Sequence, residues 1–158
     1  MLRNKQIGVK ALIDRGDSEF LFLRRHNLLH GETVPGWDLP GGRVDTDKKS
    51  QIRENPITAL LRETHEETGF TKLGFIRVVG FQIFEIKDLW LTVERTYFMA
   101  EPPISQEVVI NPKEHTDYCW ATVEQALGNL PLNPMLREYL NEYSGNVSRV
   151  PARSQVLI

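Results

Sequence analysis

Arg62-Glu63-Thr64-His65-Glu66-Glu67-Thr68-Gly69 is the stretch whose reading decides this chain. It closes the clearest helix in the sequence, Asn55 to Thr68. Asn55 suits the N-cap, where its side chain accepts from an unpaired backbone N–H, and Pro56 suits the first helical position. Gly69 suits the C-terminal cap. Ile57, Leu61, Thr64 and Thr68 recur at helical spacing and are expected to face a core. Glu63, Glu66 and Glu67 stand three and four residues apart, so at ~100° per residue they share one face, read here as the face opposite the apolar one. Like charges at this spacing destabilise a helix, and the helix dipole disfavours anions near its C-terminus. A local choice that opposes local stability marks a candidate functional site. A hard divalent cation would relieve it, taking carboxylate oxygens together with water and the oxygens of a substrate phosphate. The triplet alone reads first as a solvated acidic face, helped by Arg62.

Around this helix the pattern is strands first, then more strands, then helices. Gln6 to Asp14 and Glu19 to Arg25 read as two strands of a hairpin around the turn Arg15-Gly16-Asp17. A loop from His26 to Gly36 follows. Trp37 to Pro40 is extended, Gly41-Gly42 turns the chain, and Arg43 to Arg53 is a polar loop. Leu73 to Ile86 and Trp90 to Ala100 read as strands joined at Lys87-Asp88, rich in aromatic and β-branched residues. Thr116 to Thr122 is a short strand. Val123 to Leu127 and Met135 to Tyr143 read as helices. This order predicts a mixed sheet flanked by helices, an α/β fold of the mixed α+β kind, rather than a doubly wound parallel sheet.

Leu39-Pro40-Gly41-Gly42 combines with the acidic helix into a longer signature. The sequence here resembles the Nudix (MutT-like) hydrolase family. The family box runs Gly, five residues, Glu, seven residues, then Arg-Glu-aliphatic-any-Glu-Glu-any-Gly-aliphatic. Gly42 opens it, Glu54 stands seven residues before Arg62, and Arg62 to Phe70 closes it. Trp37-Asp38-Leu39-Pro40-Gly41 is similar to the usual approach to the box, and Glu114 to Leu127 to the family's final strand and helix. The likeness spans roughly residues 5 to 143. Two departures stand out. Eleven residues rather than five separate Gly42 from Glu54, a six-residue insertion that leaves open whether Asp45 or Asp47 shares the role of Glu54. Thr64 replaces an aliphatic residue, and its methyl can still pack.

The resemblance implies an alpha-beta-alpha sandwich around a mixed β-sheet, as one domain over residues 1–144 with a polar tail from 145 to 158. It implies hydrolysis of a phosphoanhydride bond in a nucleoside diphosphate linked to another moiety, with Mg²⁺, or Mn²⁺ in its place. Glu63, Glu66, Glu67 and Glu54 are the expected metal ligands, and Gly41 and Gly42 the expected backbone contacts to substrate. A cation held there would neutralise the substrate's charge and activate water for in-line attack, leaving positioning and charge stabilisation to the protein. Arg62 is expected to pair with a box carboxylate, Glu54 first, and hold the ligands in place. Family members differ in which glutamate serves as base. Glu114 is the later-loop candidate here, ahead of Glu107 and Asp117. His65, at the box's variable position, is read as exposed and without chemistry, and His26 and His30 as loop residues.

The substrate is less legible. Phe81, Phe84, Trp90 and Tyr97 lie on the strand runs and are read as core before base-stacking residues. ADP-ribose pyrophosphatases of this family tend to carry a proline some fifteen residues beyond the box, and dinucleoside polyphosphate hydrolases a tyrosine; Phe84-Glu85-Ile86-Lys87 has neither. That favours a (deoxy)nucleoside triphosphate or other small nucleotide over a nucleotide sugar or dinucleoside polyphosphate. The competing readings are a non-catalytic nucleotide-binding sensor with this fold, against which the intact Glu63, Glu66 and Glu67 stand, and an interaction domain whose acidic helix aids solubility.

Bulk properties agree. The 158 residues fit one compact domain, with 41% hydrophobic and 25% charged residues. A net charge of −2 gives no global field for nucleic acid or anionic membrane, so no DNA, RNA or membrane partner is expected. No apolar run approaches the ~20 residues of a membrane span, and no signal-peptide core appears near the N-terminus. The single Cys119 builds neither disulfide framework nor zinc cage. It reads as a buried small hydrophobe, and a cytoplasmic location fits. Homodimers are common among such relatives; the sequence leaves the oligomeric state open.

Overall fold

The computed structural model describes residues 4–26, 28–29, 32–33 and 36–147. His30 and residues 148–158 of the expected tail lie outside them. The elements are β1 (Asn4–Ile13), β2 (Phe20–Arg25), β3 (Leu28–Leu29), β4 (Glu32–Thr33), β5 (Trp37–Asp38), β6 (Gly41–Arg43), α1 (Pro56–Thr68), β7 (Gly74–Ile86), β8 (Leu91–Glu101), β9 (His115–Ala121), α2 (Val123–Asn129) and α3 (Pro134–Val147). One sheet has the order β6-β1-β8-β7, with β1 and β8 parallel and the other pairs antiparallel. A second sheet, β5-β2-β9, is antiparallel, and β3 pairs with β4. The expected mixed sheet with flanking helices is present.

β1 explains the layering. Gly8 to Ile13 are all buried, as befits a central strand covered on both faces. Val9, Ala11 and Ile13 enter one core with Leu21 and Leu23 of β2, Phe98, and Ala59 and Leu60 of α1. Leu12 enters the other with Phe20, Phe22, Tyr97 and Met99, beneath Ala126 of α2 and Leu136, Tyr139 and Leu140 of α3. The period-two alternation of the strands thus feeds two cores, one under α1 and one under α2 and α3.

Three expectations need correction. β1 and β2 are not a hairpin: they lie in different sheets, joined by the isolated bridge Asp14–Phe20. β6 and β8 occupy the two edges of β1, so β2 pairs with β5 and β9 instead. Gly41-Gly42 does not simply turn the chain. Gly41–Arg43 is an edge strand on Gly8 to Lys10, and Gly41 sits at φ 143°, where a Cβ would collide with the Val9 carbonyl. In α1, Thr64 and Thr68 are buried as expected, but Ile57 and Leu61 are exposed, and Ala59, Leu60 and Glu67 are buried in their stead. The buried stripe is rotated from the expected one and includes a carboxylate. Elsewhere, Tyr97 is core as expected, Phe84 is half-buried, and Phe81 and Trp90 are exposed at 58% and 55%.

α1 itself follows its local signals. Asn55 accepts from the Ile57 amide (2.8 Å), Pro56 starts the helix, and Gly69 at φ 77° ends it with its N–H on the His65 carbonyl. No helix among the described residues is long and apolar enough to cross a membrane.

Candidate active site

Arg62 is the hub of the box. Its Nε donates to Glu54 Oε2 (3.0 Å) and its Nη2 to Glu54 Oε1 (2.9 Å), a two-bond fork. Nη2 also donates to the Arg43 carbonyl (3.0 Å) and lies 3.4 Å from Asp45 Oδ2. Nη1 donates to Glu63 Oε1 (2.9 Å) and stands 3.6 Å from Glu66 Oε1. One half-buried guanidinium therefore ties the inserted loop, Glu54 and two helix carboxylates together. The bond to Arg62 holds the Glu54 carboxyl below its ordinary range, and these partners raise Arg62 in turn.

The inserted loop is ordered by its own polar groups. Asp47 accepts from the amides of Lys49 and Ser50, and the Asp45 amide donates to Glu54 Oε1. Asp45 thus joins the Arg62 cluster, while Asp47 closes a turn.

The helix glutamates occupy three environments. Glu66 is exposed. Glu63 is half-buried against Gly42, where a Cβ would stand 2.5 Å from its carboxyl carbon, and burial raises its pKa against the pull of Arg62. Glu67 is 3% exposed. Its Oε1 accepts from the Gly41 amide (2.9 Å) and its Oε2 lies 3.3 Å from His115 Nε2. Burial pushes Glu67 up to about 7, opposed by Lys10 and the Gly41 amide. Burial, with the charges of Arg25 and Lys10, pushes His115 down to about 4. His115 is therefore a neutral imidazole at neutral pH, and its contact with Glu67 is a polar contact rather than an ion pair.

Among the described residues, ligand atoms of Glu67, Glu114 and His115 all lie within 4.8 Å of one another. His115 Nδ1 is buried without a partner. Carboxylate oxygens with a neutral imidazole suit a divalent cation, and a cation would offset the cost of burying Glu67 as an anion. The residues present fit a metal. Glu114, exposed at the start of β9, is thus brought to the helix carboxylates. Glu107 is not: it lines a separate groove with Asp14, Phe70 and Trp120. Asp117 accepts from the Tyr118 amide on β9. His65 is exposed, with Nδ1 3.2 Å from the Phe70 carbonyl, and His26 is exposed with its amide on the Glu114 carbonyl (2.9 Å). Cys119 is half-buried and unpaired, its thiol pushed up by burial.

Two buried charges at the site escape sequence reasoning. Lys10 Nζ lies 3.3 Å from Asp38 Oδ2 and donates to the Leu39 carbonyl (3.2 Å). Both side chains are almost wholly buried, and they brace the approach to Gly41. The available signal was a lone lysine inside the apolar run Val9 to Ile13. His115 was likewise legible only as the first inward position of β9.

The comparisons agree with this geometry. The NUDIX domain family profile matches residues 4–143. Bis(5'-nucleosyl)-tetraphosphatase (asymmetrical) from Mus musculus is 29% identical over 116 residues, covering 72% of this chain and 71% of that protein. The MutT protein of Methanosarcina mazei Go1 superposes with a TM-score of 0.68 at 28% identity, over 92% of this chain and 97% of that one. The E. coli ORF135 protein superposes at 0.73 with 24% identity, over 95% and 96%. The chain belongs to the NUDIX domain family, as a pyrophosphohydrolase that cleaves a phosphoanhydride bond in a nucleoside diphosphate linked to another moiety.

Proposed function

We propose that the chain hydrolyses a small nucleotide, a (deoxy)nucleoside triphosphate first, with Mg²⁺ held by Glu63, Glu66 and Glu67 and with Mn²⁺ able to replace it. The observation that carries this reading is the buried Glu67 carboxyl, set on the Gly41 amide within 4.8 Å reach of Glu114 and His115. When bound, the cation supplies charge neutralisation for the polyphosphate and makes the attacking water more acidic.

The chain's own residues do the rest. The substrate contacts proposed at Gly41 and Gly42 are backbone contacts; the lack of a side chain there seats the Val9 carbonyl against Gly41 and the Glu63 carboxylate against Gly42. Arg62 holds Glu63 and Glu66 at one end of its guanidinium and Glu54 at the other, which limits their reorganisation as charge develops. Glu54 accepts two bonds from Arg62 and one from the Asp45 amide, so it anchors that arginine, and its carboxylate keeps lone pairs for the metal-ligand role also expected of it. Glu114, exposed and beside Glu67, takes the proton from the attacking water as general base.

A second substrate reading, a dinucleoside tetraphosphate, draws on the mouse relative. Residues 1–144 are taken as the single catalytic domain, and the unpaired Cys119 suits a cytoplasmic location. The test is a panel of nucleoside triphosphates, nucleotide sugars and dinucleoside polyphosphates, each with Mg²⁺ and with EDTA, following phosphate and pyrophosphate release. Metal-dependent turnover of the triphosphates supports the first reading, and turnover of the dinucleoside compounds alone supports the second. No turnover of any compound by folded protein favours the sensor and overturns both.

A further inference from the structure

Among the described residues, Arg95 carries a buried donor that has no partner. It lies on β8 between Gly8 of β1 and Gln82 of β7 in the sheet register. Its Cζ sits 5.0 Å from the centroid of the Phe84 ring, a cation–π arrangement. Its Nη1 is buried and has no hydrogen-bond partner. A buried donor without a partner costs free energy, so it calls for an explanation such as a missing acceptor.

The Arg95 side chain hydrogen-bonds the Tyr97 hydroxyl, but Nη1 itself is left without an acceptor. The Tyr97 hydroxyl donates to Gln82 Oε1 (2.9 Å), and Gln82 Nε2 donates to the Met135 carbonyl (2.8 Å). At Gly8 no side chain stands beside the guanidinium; an added Cβ would lie 4.0 Å from Arg95 Nε and 3.5 Å from the Gly42 carbonyl oxygen. The face is also continuous with the candidate active site. Lys10, two residues beyond Gly8, pairs in register with Gly41, whose amide holds Glu67. From the edge strand β6 to β8 is two strand spacings, roughly 10 Å. That is too far for the reacting phosphate at Glu67 and suits the far end of a nucleotide bound across the sheet.

We propose that Arg95 is a specificity-determining residue, its guanidinium, held over the Phe84 ring, donating to an acceptor on the edge of the substrate's nucleobase. This deepens the hydrolase reading and rests on it for the placement of the phosphates. A planar fork of donors is suited to a base edge carrying a carbonyl oxygen or ring nitrogen. Phe84 and the Tyr97 hydroxyl orient the guanidinium, and Gln82, bonded to Tyr97, forms the wall.

Equilibrium binding tests it without turnover. Dissociation constants for the four common nucleoside monophosphates and for ribose 5-phosphate are measured on wild type, Arg95→Met and Arg95→Lys, with melting temperatures alongside. Arg95→Met keeps an unbranched apolar chain over Phe84 and removes an unsatisfied donor together with the bond to Tyr97, and Arg95→Lys and the melting temperatures separate lost binding from lost folding. The expected result is a roughly 10- to 100-fold weaker affinity for at least one nucleoside monophosphate, with ribose 5-phosphate changed less than threefold and only partial recovery in Arg95→Lys. An equal loss for ribose 5-phosphate overturns the proposal in favour of a phosphate or sugar contact, and unchanged affinities overturn it outright. Metal-dependent turnover by wild type alongside unchanged affinities in Arg95→Met sinks this proposal alone; absent turnover with the base-specific loss intact sinks the hydrolase reading alone.

Discussion

The two helical flanks of the sheet solve opposite problems. α3 covers its core with Leu136, Tyr139 and Leu140, and Tyr139 stacks on Tyr97 with centroids 3.5 Å apart and planes 2° apart. Its polar groups are used up locally: Arg137 donates to the carbonyls of Leu127 and Leu130 at the end of α2 (2.9 Å each). α1 covers the other core with Ala59 and Leu60 but also buries Glu67 beside His115, and it leaves Thr64 Oγ1 and His115 Nδ1 without partners. The difference teaches that one flank is built for stability and the other holds charge at a cost. Substitutions on the two flanks should therefore separate stability from activity.

The largest expected effect is on the α1 flank. Glu67→Gln should lower kcat at least about a hundredfold, while its melting temperature in EDTA is no lower than wild type, because a buried carboxyl is replaced by a neutral amide of the same shape. Steady-state kinetics with thermal melts reads both, and a large loss of stability would break the contrast. On the α3 flank, Leu140→Ala should cost about 2–5 kcal/mol by leaving a cavity in a fully buried site, with kcat of the folded fraction retained; chemical denaturation measures it.

Smaller effects sharpen the comparison. Arg62→Lys keeps the charge but loses the fork to Glu54, and should lower kcat roughly tenfold with little change in KM. A rise in KM alone would mean that Arg62 binds substrate instead of holding the carboxylates. Thr122→Ala removes the capping box of α2, in which Thr122 and Gln125 satisfy each other's backbone amides. It should cost about 1 kcal/mol and leave activity alone.

What the sequence revealed divides along the same line. α1 could be bounded because Asn55, Pro56 and Gly69 act within a turn of chain. The acid cluster and its Arg62–Glu54 pair could be anticipated because the box fixes them at set spacings. The face of α1 that is buried could not be chosen, since Glu67 counts as polar in any periodicity and only its contacts with Gly41 and His115 admit it to the interior. The β1–β2 hairpin failed for a similar reason: edge allocation is settled by β6 and β8, which are distant in sequence. Lys10, Asp38, His115 and Arg95 stayed hidden because each gains meaning only from a partner, or the lack of one, on another strand.

The most direct test of the central claim, that the α1 carboxylates hold a divalent cation, is a titration of melting temperature with Mg²⁺ and with Mn²⁺. It compares wild type and Glu67→Gln without any nucleotide. A cation that binds the native state should raise the wild-type melting temperature with concentration. That rise, its reversal by EDTA and its loss in Glu67→Gln are the expected result. A wild-type melting temperature indifferent to both ions, or an equal rise in the variant, would contradict it.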